Sequence, residues 1–211
     1  MLRGQYMNEL SGTKELIFDT FVEMTSALGY ENVSMRDIAE KVGIKVASIY
    51  NHFETKGNIL EYAYNYYSKH QYDNRVPVEE MKSLIETADT EEIINTFRYT
   101  FVSEDKKKYV RMVLITKIIY MRLFQDPAAN SIFAESNKNN AEYVTDVLKH
   151  GIDLGRFDPE FDIYTFADIF IGAITIMGIK AFAGAVYEVK QLDQEKHIQA
   201  QLARLLSTWV R

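Results

Sequence analysis

Arg36, Lys45, Val46, Ser48 and Asn51 carry side chains that can read a nucleic acid. A guanidinium at Arg36 and an ammonium at Lys45 can donate to the acceptor edge of a guanine, and Val46 can pack on a thymine methyl. Ser48 and Asn51 add a hydroxyl and an amide on the same stretch. These groups work together only if a rigid element presents them on one face, and residues 34–56, SMRDIAEKVGIKVASIYNHFETK, predict one. Ser34 is an N-cap candidate, and Asp37 three residues on places negative charge in the first turn, where open N–H groups favour it. Ile38, Ala39 and Val42 form one apolar face at helical spacing, and Gly43 stops the helix by reaching a left-handed backbone without steric cost. Ile44 and Ile49 can then close over Ala39. This order of apolar, Ala, Gly and apolar positions is that of a helix-turn-helix, whose second helix enters the major groove while the first crosses the backbone.

The continuation Ile49-Tyr50-Asn51-His52-Phe53, followed by Lys56, makes the pattern more specific. Over about residues 13 to 62 the chain resembles the TetR family of bacterial transcriptional regulators, through Thr13, Ile38-Ala39, Gly43, Ile49-Tyr50, His52-Phe53 and Lys56. The resemblance implies that Tyr50 and His52 contact phosphates and that Lys56 pins the DNA backbone. It also implies a larger carboxy-terminal domain with an inducer pocket. Family members usually have Ser or Thr where Lys45 stands and a polar residue where Val46 stands, so the second helix lacks a side-chain N-cap, a loss of ~1 kcal/mol. They also place a small residue at Phe21 and an aromatic at Thr25, one turn apart, which reads here as a compensating exchange of volume in one core.

The chain has 211 residues, 47% of them hydrophobic, enough for a small domain and a larger one with a genuine core. It carries 24 basic and 30 acidic residues, and residues 1–56 hold six Lys or Arg against eight Asp or Glu. Attraction to DNA must therefore come from local placement, since screening over roughly 8 to 10 Å leaves phosphates responding to the nearest charges. There is no cysteine and the first residues lack a long apolar core, so the expectation is a cytoplasmic protein without disulfides. The apolar run from Ile169 to Ile179, bounded by Asp168 and Lys180, is too short to span a bilayer.

The elements that must position the motif are helices, and the fold class is all-α. A three-helix DNA-binding domain is expected over 1–55 and a helical ligand-binding and dimerisation domain over 56–211. Thr13 is read as the cap of a first helix with the stripe Leu16, Ile17, Phe21, Met24 and Leu28, ended at Gly29. A linking helix runs from Lys56 to about Asp73, and further helices are expected at about 78–87, 91–102, 106–125, 128–154, 160–186 and 193–210. A Gly-x-x-x-Gly turn at Gly151 and Gly155 precedes a helix that is apolar almost all round and must be buried on several sides. Its Phe166, Phe170, Gly172, Ala173, Gly178 and Ala181, with Leu202, Leu205, Leu206 and Trp209 of the last helix, form the expected homodimer face.

Candidate lining for an inducer comes from Tyr62, Tyr66, Phe97, Phe101, Met112, Ile115, Ile119, Met121, Phe124, Tyr143, Phe170 and Met177, residues that serve equally as core. Arg98, Arg111, Lys117 or Arg122, if turned inward, would hold an anionic ligand. Glu142, Asp146 and His150 share one helix face, but a solvated charged stripe explains them better than a metal site, and no metal or cofactor is expected. No nucleophile with its base and no phosphate loop points to an enzyme. The expected function is a dimeric regulator, more often a repressor, on a pseudo-palindromic double-stranded DNA operator and released by a small molecule. The alternative is a helical ligand-binding or adaptor dimer that no longer binds DNA.

Overall fold

The computed structural model describes residues 10, 12–99, 105–183 and 191–211, with the side chains of 98–99, 177–178, 180–183 and 191–196 excepted. In chain order α1 is Gly12–Leu28, α2 Met35–Val42, α3 Val46–Tyr50, α4 Lys56–His70 and α5 Val78–Thr87. They are followed by α6 Thr90–Tyr99, α7 Lys106–Arg122, α8 Pro127–Asp153, α9 Ile163–Ala183 and α10 Gln191–Ser207. A short 3-10 turn, Tyr30–Asn32, joins α1 to α2. The fold is all-α: among the described residues there is no strand, only an isolated antiparallel bridge between Phe157 and Val210. No helix among them is long and apolar enough to cross a membrane.

Packing divides the chain into two compact units, Met1–His70 with Asp105–Asn130, and Gln71–Glu104 with Ser131–Arg211. These packing boundaries differ from the division expected after residue 55, because α4 and the sequence-distant α7 pack with the amino-terminal helices.

In the first unit α1 turns Ile17, Phe18, Phe21, Val22 and Thr25 inward, while Leu16 and Leu28 are about half exposed. The inner stripe is therefore offset from the expected one, because an apolar helix offers more than one face and periodicity alone does not choose between them. Thr13 lies inside the first turn, not at the cap, since α1 already starts at Gly12. Phe21 and Thr25 are both fully buried.

Arg111 ties α7 to α1 and α4, and Lys107 one turn earlier joins it on Glu15 and Asp19 at 2.7 and 3.3 Å. The Arg111 side chain is 9% exposed, and its Nε and Nη2 donate to the two carboxylate oxygens of Asp19 at 2.7 and 3.0 Å. Nη2 also donates to Glu15 at 2.8 Å, and Nη1 to the Tyr66 hydroxyl at 3.3 Å. Burial works against the charge, but these carboxylates outweigh it and raise the Arg111 pKa. At the other end of α7, Arg122 donates to Asp126 at 3.1 Å and to Glu31 at 3.4 Å, and Asp126 accepts from the Tyr64 hydroxyl at 3.0 Å.

The second unit packs α5, α6, α9, α10 and most of α8 around Met81, Ile85, Ile93, Ile94, Phe97, Val147, Leu148, Phe157 and Leu206. Of the two glycines, Gly151 lies in the last turn of α8 and Gly155 in the turn that follows, and they have separate tasks. Gly155 takes φ 73°, and a Cβ on Gly151 would lie 2.5 Å from the buried ring of Phe157, so only glycine lets that ring close on the helix. The Phe157–Val210 bridge is extended by Asp158 N–H donating to the Trp209 carbonyl at 2.8 Å, and the Trp209 ring stacks on Phe161 at 5.3 Å.

Element ends depart from expectation by a few residues. The helix from Lys56 stops at His70, α7 stops at Arg122 where a turn follows, and α9 begins at Ile163 after Asp162 caps the Thr165 N–H at 3.0 Å. The expected ends near 102 and 186 lie outside the described residues.

Lys107 and then Arg111 hold the Glu15 carboxyl below its ordinary value. Its share of stability is therefore complete above the unfolded pKa of about 4.3 and is lost as pH falls through the lower folded value. Arg111→Met should lower unfolding stability at neutral pH by about 2 kcal/mol. Denaturant titrations at neutral and acid pH should show the gap from wild type narrowing in acid, and a pH-independent gap would locate the loss in packing instead.

Candidate nucleic-acid interface

The first motif helix is fixed at both ends by its own sequence. Ser34 Oγ accepts from Asp37 N–H at 3.2 Å while the Asp37 carboxylate accepts from Ser34 N–H at 2.8 Å, a closed capping box that holds the Asp37 pKa low. Gly43 ends the helix at φ 77°, ψ 32°, and the N–H groups of Gly43 and Ile44 return to the Ala39 carbonyl at 2.9 and 3.0 Å. Ile38, Ala39 and Ile49 are buried, so α3 rests on the small side chain of Ala39. α3 is a five-residue helix whose N-cap position, Lys45, has extended geometry and no side-chain cap bond, as the sequence predicts.

With Ile38, Ala39, Ile49 and Phe53 facing inward, the polar side of α2 and α3 turns outward. Arg36, Lys45, Asn51 and His52 are exposed, Tyr50 is 52% exposed, and Val46 and Ser48 are half-buried. No side-chain hydrogen bond or ion pair ties Arg36, Lys45, Tyr50, Asn51 or His52 to any described residue. Their donors are available to an outside acceptor.

Lys56 is placed differently. Its ammonium donates to the Tyr30 carbonyl at 2.7 Å and lies 4.0 Å from the centre of the Tyr30 ring, whose other cation is Arg122 at 4.3 Å. An ammonium has three hydrogens, so one bond to Tyr30 leaves donors for a phosphate while fixing where they point. Tyr30 carries no sequence signal beyond being an aromatic after a glycine. Thr55 does carry one: with Asn58 three residues on it caps α4, its Oγ1 accepting from Asn58 N–H at 3.1 Å.

The other predicted site residues are dispersed. Tyr62, Tyr66, Met112, Ile115, Ile119 and Met121 belong to the first unit, where Tyr66, Ile115 and Ile119 are buried and Met121 is 47% exposed; Phe124 there is 93% exposed. Phe97, Tyr143 and Phe170 belong to the second. Phe101 and the side chains of Arg98, Met177, Gly178 and Ala181 lie outside the described residues. Arg111 and Arg122, considered as anion holders, are already answered by carboxylates of this chain. Phe166, Phe170, Leu202 and Leu206, assigned to a dimer face, are buried in their own unit. The faces left open carry Ile169, Gly172, Ile176 and Ile179 on α9 and Leu205 on α10, with Ala173 and Trp209 half-buried. Asp146 pairs with Lys82 at 3.0 Å, His150 with Glu86 at 3.5 Å and Glu142 with Lys138 at 3.8 Å, an ion-paired stripe. No cluster with metal-ligand character occurs among the described residues.

A capped helix, a left-handed glycine and a short second helix with an outward row of donors that no described residue engages form a helix-turn-helix. Residues 17–63 match the profile of bacterial regulatory proteins of the tetR family. The biofilm operon icaADBC HTH-type negative transcriptional regulator IcaR of Staphylococcus aureus is 28% identical over 103 residues, 47% of this chain and 50% of IcaR. The chain thus spans about half the length of the curated relatives it matches in this way. The ketosteroid transcriptional regulator KstR2 of Mycobacterium tuberculosis shares the fold at 20% identity and TM-score 0.65, over 98% of this chain and 100% of that one. A chain from Saccharomonospora viridis solved in complex with choline does so at 19% identity and TM-score 0.67, over 94% and 97%.

Ser34→Ala should cost about 1 kcal/mol by opening the capping box, whereas Lys45→Ser should add a cap to α3 and gain a similar amount. Thermal unfolding of the two variants checks the opposite signs.

Proposed function

We propose that this protein is a transcriptional regulator, acting as a repressor, that binds an inverted-repeat operator as a homodimer and is released by a small molecule. The observation that carries the reading is the row of exposed, unpaired Arg36, Lys45, Tyr50, Asn51 and His52 on an α2–α3 unit whose geometry is fixed by Ser34, Ala39 and Gly43. Arg36 and Lys45 would donate to guanine and Val46 would meet a thymine methyl, while Tyr50, His52 and Lys56 would hold phosphates. With a net charge of −6, attraction has to be local, and this face concentrates donors where the total charge does not.

Dimerisation through α9 and α10 is supported by the open positions Ile169, Gly172, Ile176 and Ile179, which recur at three- and four-residue spacing along one side of α9. A two-fold axis there would set two α3 helices against half-sites about one duplex turn or more apart, roughly 34 to 36 Å per turn. Control by a small molecule is supported by the likeness of residues 17–63 to the tetR-family profile and by the choline-bound fold neighbour.

Selection of genomic fragments by the purified protein, followed by titration of the enriched fragment at several salt concentrations, should yield a pseudo-palindrome bound more weakly as salt rises. Tyr50→Ala and Lys56→Ala should weaken all sites by similar factors, and Lys56→Ala should also lower the salt slope by about 1. Lys45 or Arg36 substitutions should change the selected sequence. Ile176→Glu should convert the dimer to monomer in sedimentation. No enrichment at low salt would replace this reading with that of a ligand-binding or adaptor dimer.

A further inference from the structure

The turn after α4 holds a cation that no carboxylate among the described residues answers. Arg75 is half-buried, its guanidinium carbon 4.0 Å from the ring centre of Tyr72 and 4.7 Å from that of Tyr143. One Nη2 donates to the Asn140 side-chain carbonyl, while Nε is buried and has no hydrogen-bond partner among the described residues. The other arginines with described side-chain bonds contrast with it: Arg111 meets Asp19 and Glu15, Arg122 meets Asp126 and Glu31, Arg211 meets Asp158, and Arg156 donates to the carbonyls of Ile85 and Ala88. Desolvating a guanidinium without a counter-charge is costly, and burial does lower the Arg75 pKa.

The groups around Arg75 share one polarity. The Tyr72 hydroxyl oxygen accepts from Asn139 Nδ2 at 3.3 Å, so its own hydrogen can be given away. Asn140 has its carbonyl committed to Arg75, which leaves its amide N–H groups as donors. The two tyrosine faces that would attract a cationic ligand already hold the guanidinium. Tyr143, half-buried and with its hydroxyl tied to the Val76 carbonyl at 2.7 Å, offers an apolar edge that continues through Phe97 at 5.8 Å to Phe170 at 5.6 Å.

We infer that Arg75, with Tyr72 and Asn140, is the head-group site for a small organic carboxylate with an apolar body, the ligand class that controls this regulator. The planar fork of a guanidinium matches a carboxylate, and a single cation answers one negative charge better than the two of a phosphate. The inference rests on the reading that the protein is ligand-controlled.

Arginine Nε–H signals of the 15N-labelled full-length protein report the site directly, with the Arg75 signal assigned by its loss in Arg75→Lys. Titration of the wild type with sodium phenylacetate and sodium octanoate, at constant ionic strength set by chloride, should move that signal to saturation with a Kd of about 1 mM or tighter. Phenylacetamide and phenethylammonium should leave it in place, and Asn140→Ala should weaken the carboxylate response by about tenfold. A signal unmoved by both carboxylates, or moved equally by the amide, overturns the site. Saturation by inorganic phosphate at lower concentration than by either carboxylate overturns the carboxylate assignment. Operator titrations with the same compounds separate the two readings. A moving Nε–H signal with unchanged operator affinity keeps the site and removes its control of DNA binding. Operator release with a fixed Nε–H signal removes the site and keeps ligand control.

Discussion

The arrangement of α2 against α3 depends on how little occupies the space between them. Ala39 presents a single methyl, Gly43 turns the chain through a left-handed conformation, and Ile49 of the second helix then closes on the first. A larger side chain at Ala39 would push α3 outward, and a β-carbon at Gly43 would strain the turn. Every outward residue from Lys45 to His52 inherits its direction from that contact. The short α3 has little stability of its own: it has five residues and no side-chain cap, so it is helical because α2 and the core hold it there.

Much of this was legible in the chain because the motif is local. Ser34, Asp37, Ala39, Gly43 and Ile49 act within one or two turns of each other, and their types state their tasks. The absent cap at Lys45 was legible for the same reason. Long-range partners were not. Arg111 and Arg122 are spaced like candidates for an inward ligand contact, and only the fold brings Asp19, Glu15, Glu31 and Tyr64 to them. The apolar α9 posed the opposite difficulty. With hydrophobic residues on all sides it gave no pattern to separate its inner face, Phe166 and Phe170, from the open one at Ile169 and Ile176. Arg75 was silent because its meaning lies in what fails to surround it.

The two ends of α7 treat charge alike. Each places an arginine among acidic residues of the same unit, three of them from α1 and the turn that follows it, so the acidic excess of the amino-terminal sequence is partly consumed internally. Glu15, Asp19 and Glu31 are three of the eight acids within residues 1–56, and all three face these arginines. The formal balance of that segment therefore overstates the negative charge it shows to a DNA backbone. Lys56 extends the same economy to an aromatic ring, sharing Tyr30 with Arg122.

The stack of Trp209 on Phe161 has an optical consequence. The chain holds a single tryptophan, and its ring is fixed in the second packing unit by Phe161 and by the backbone bond from Asp158. Intrinsic indole fluorescence is therefore a local gauge of the helices around the carboxy terminus, whereas the helix-turn-helix contributes tyrosine emission alone. A melting curve followed by tryptophan emission therefore reports the packing around Phe161, and tyrosine emission has to be followed beside it to read the amino-terminal helices.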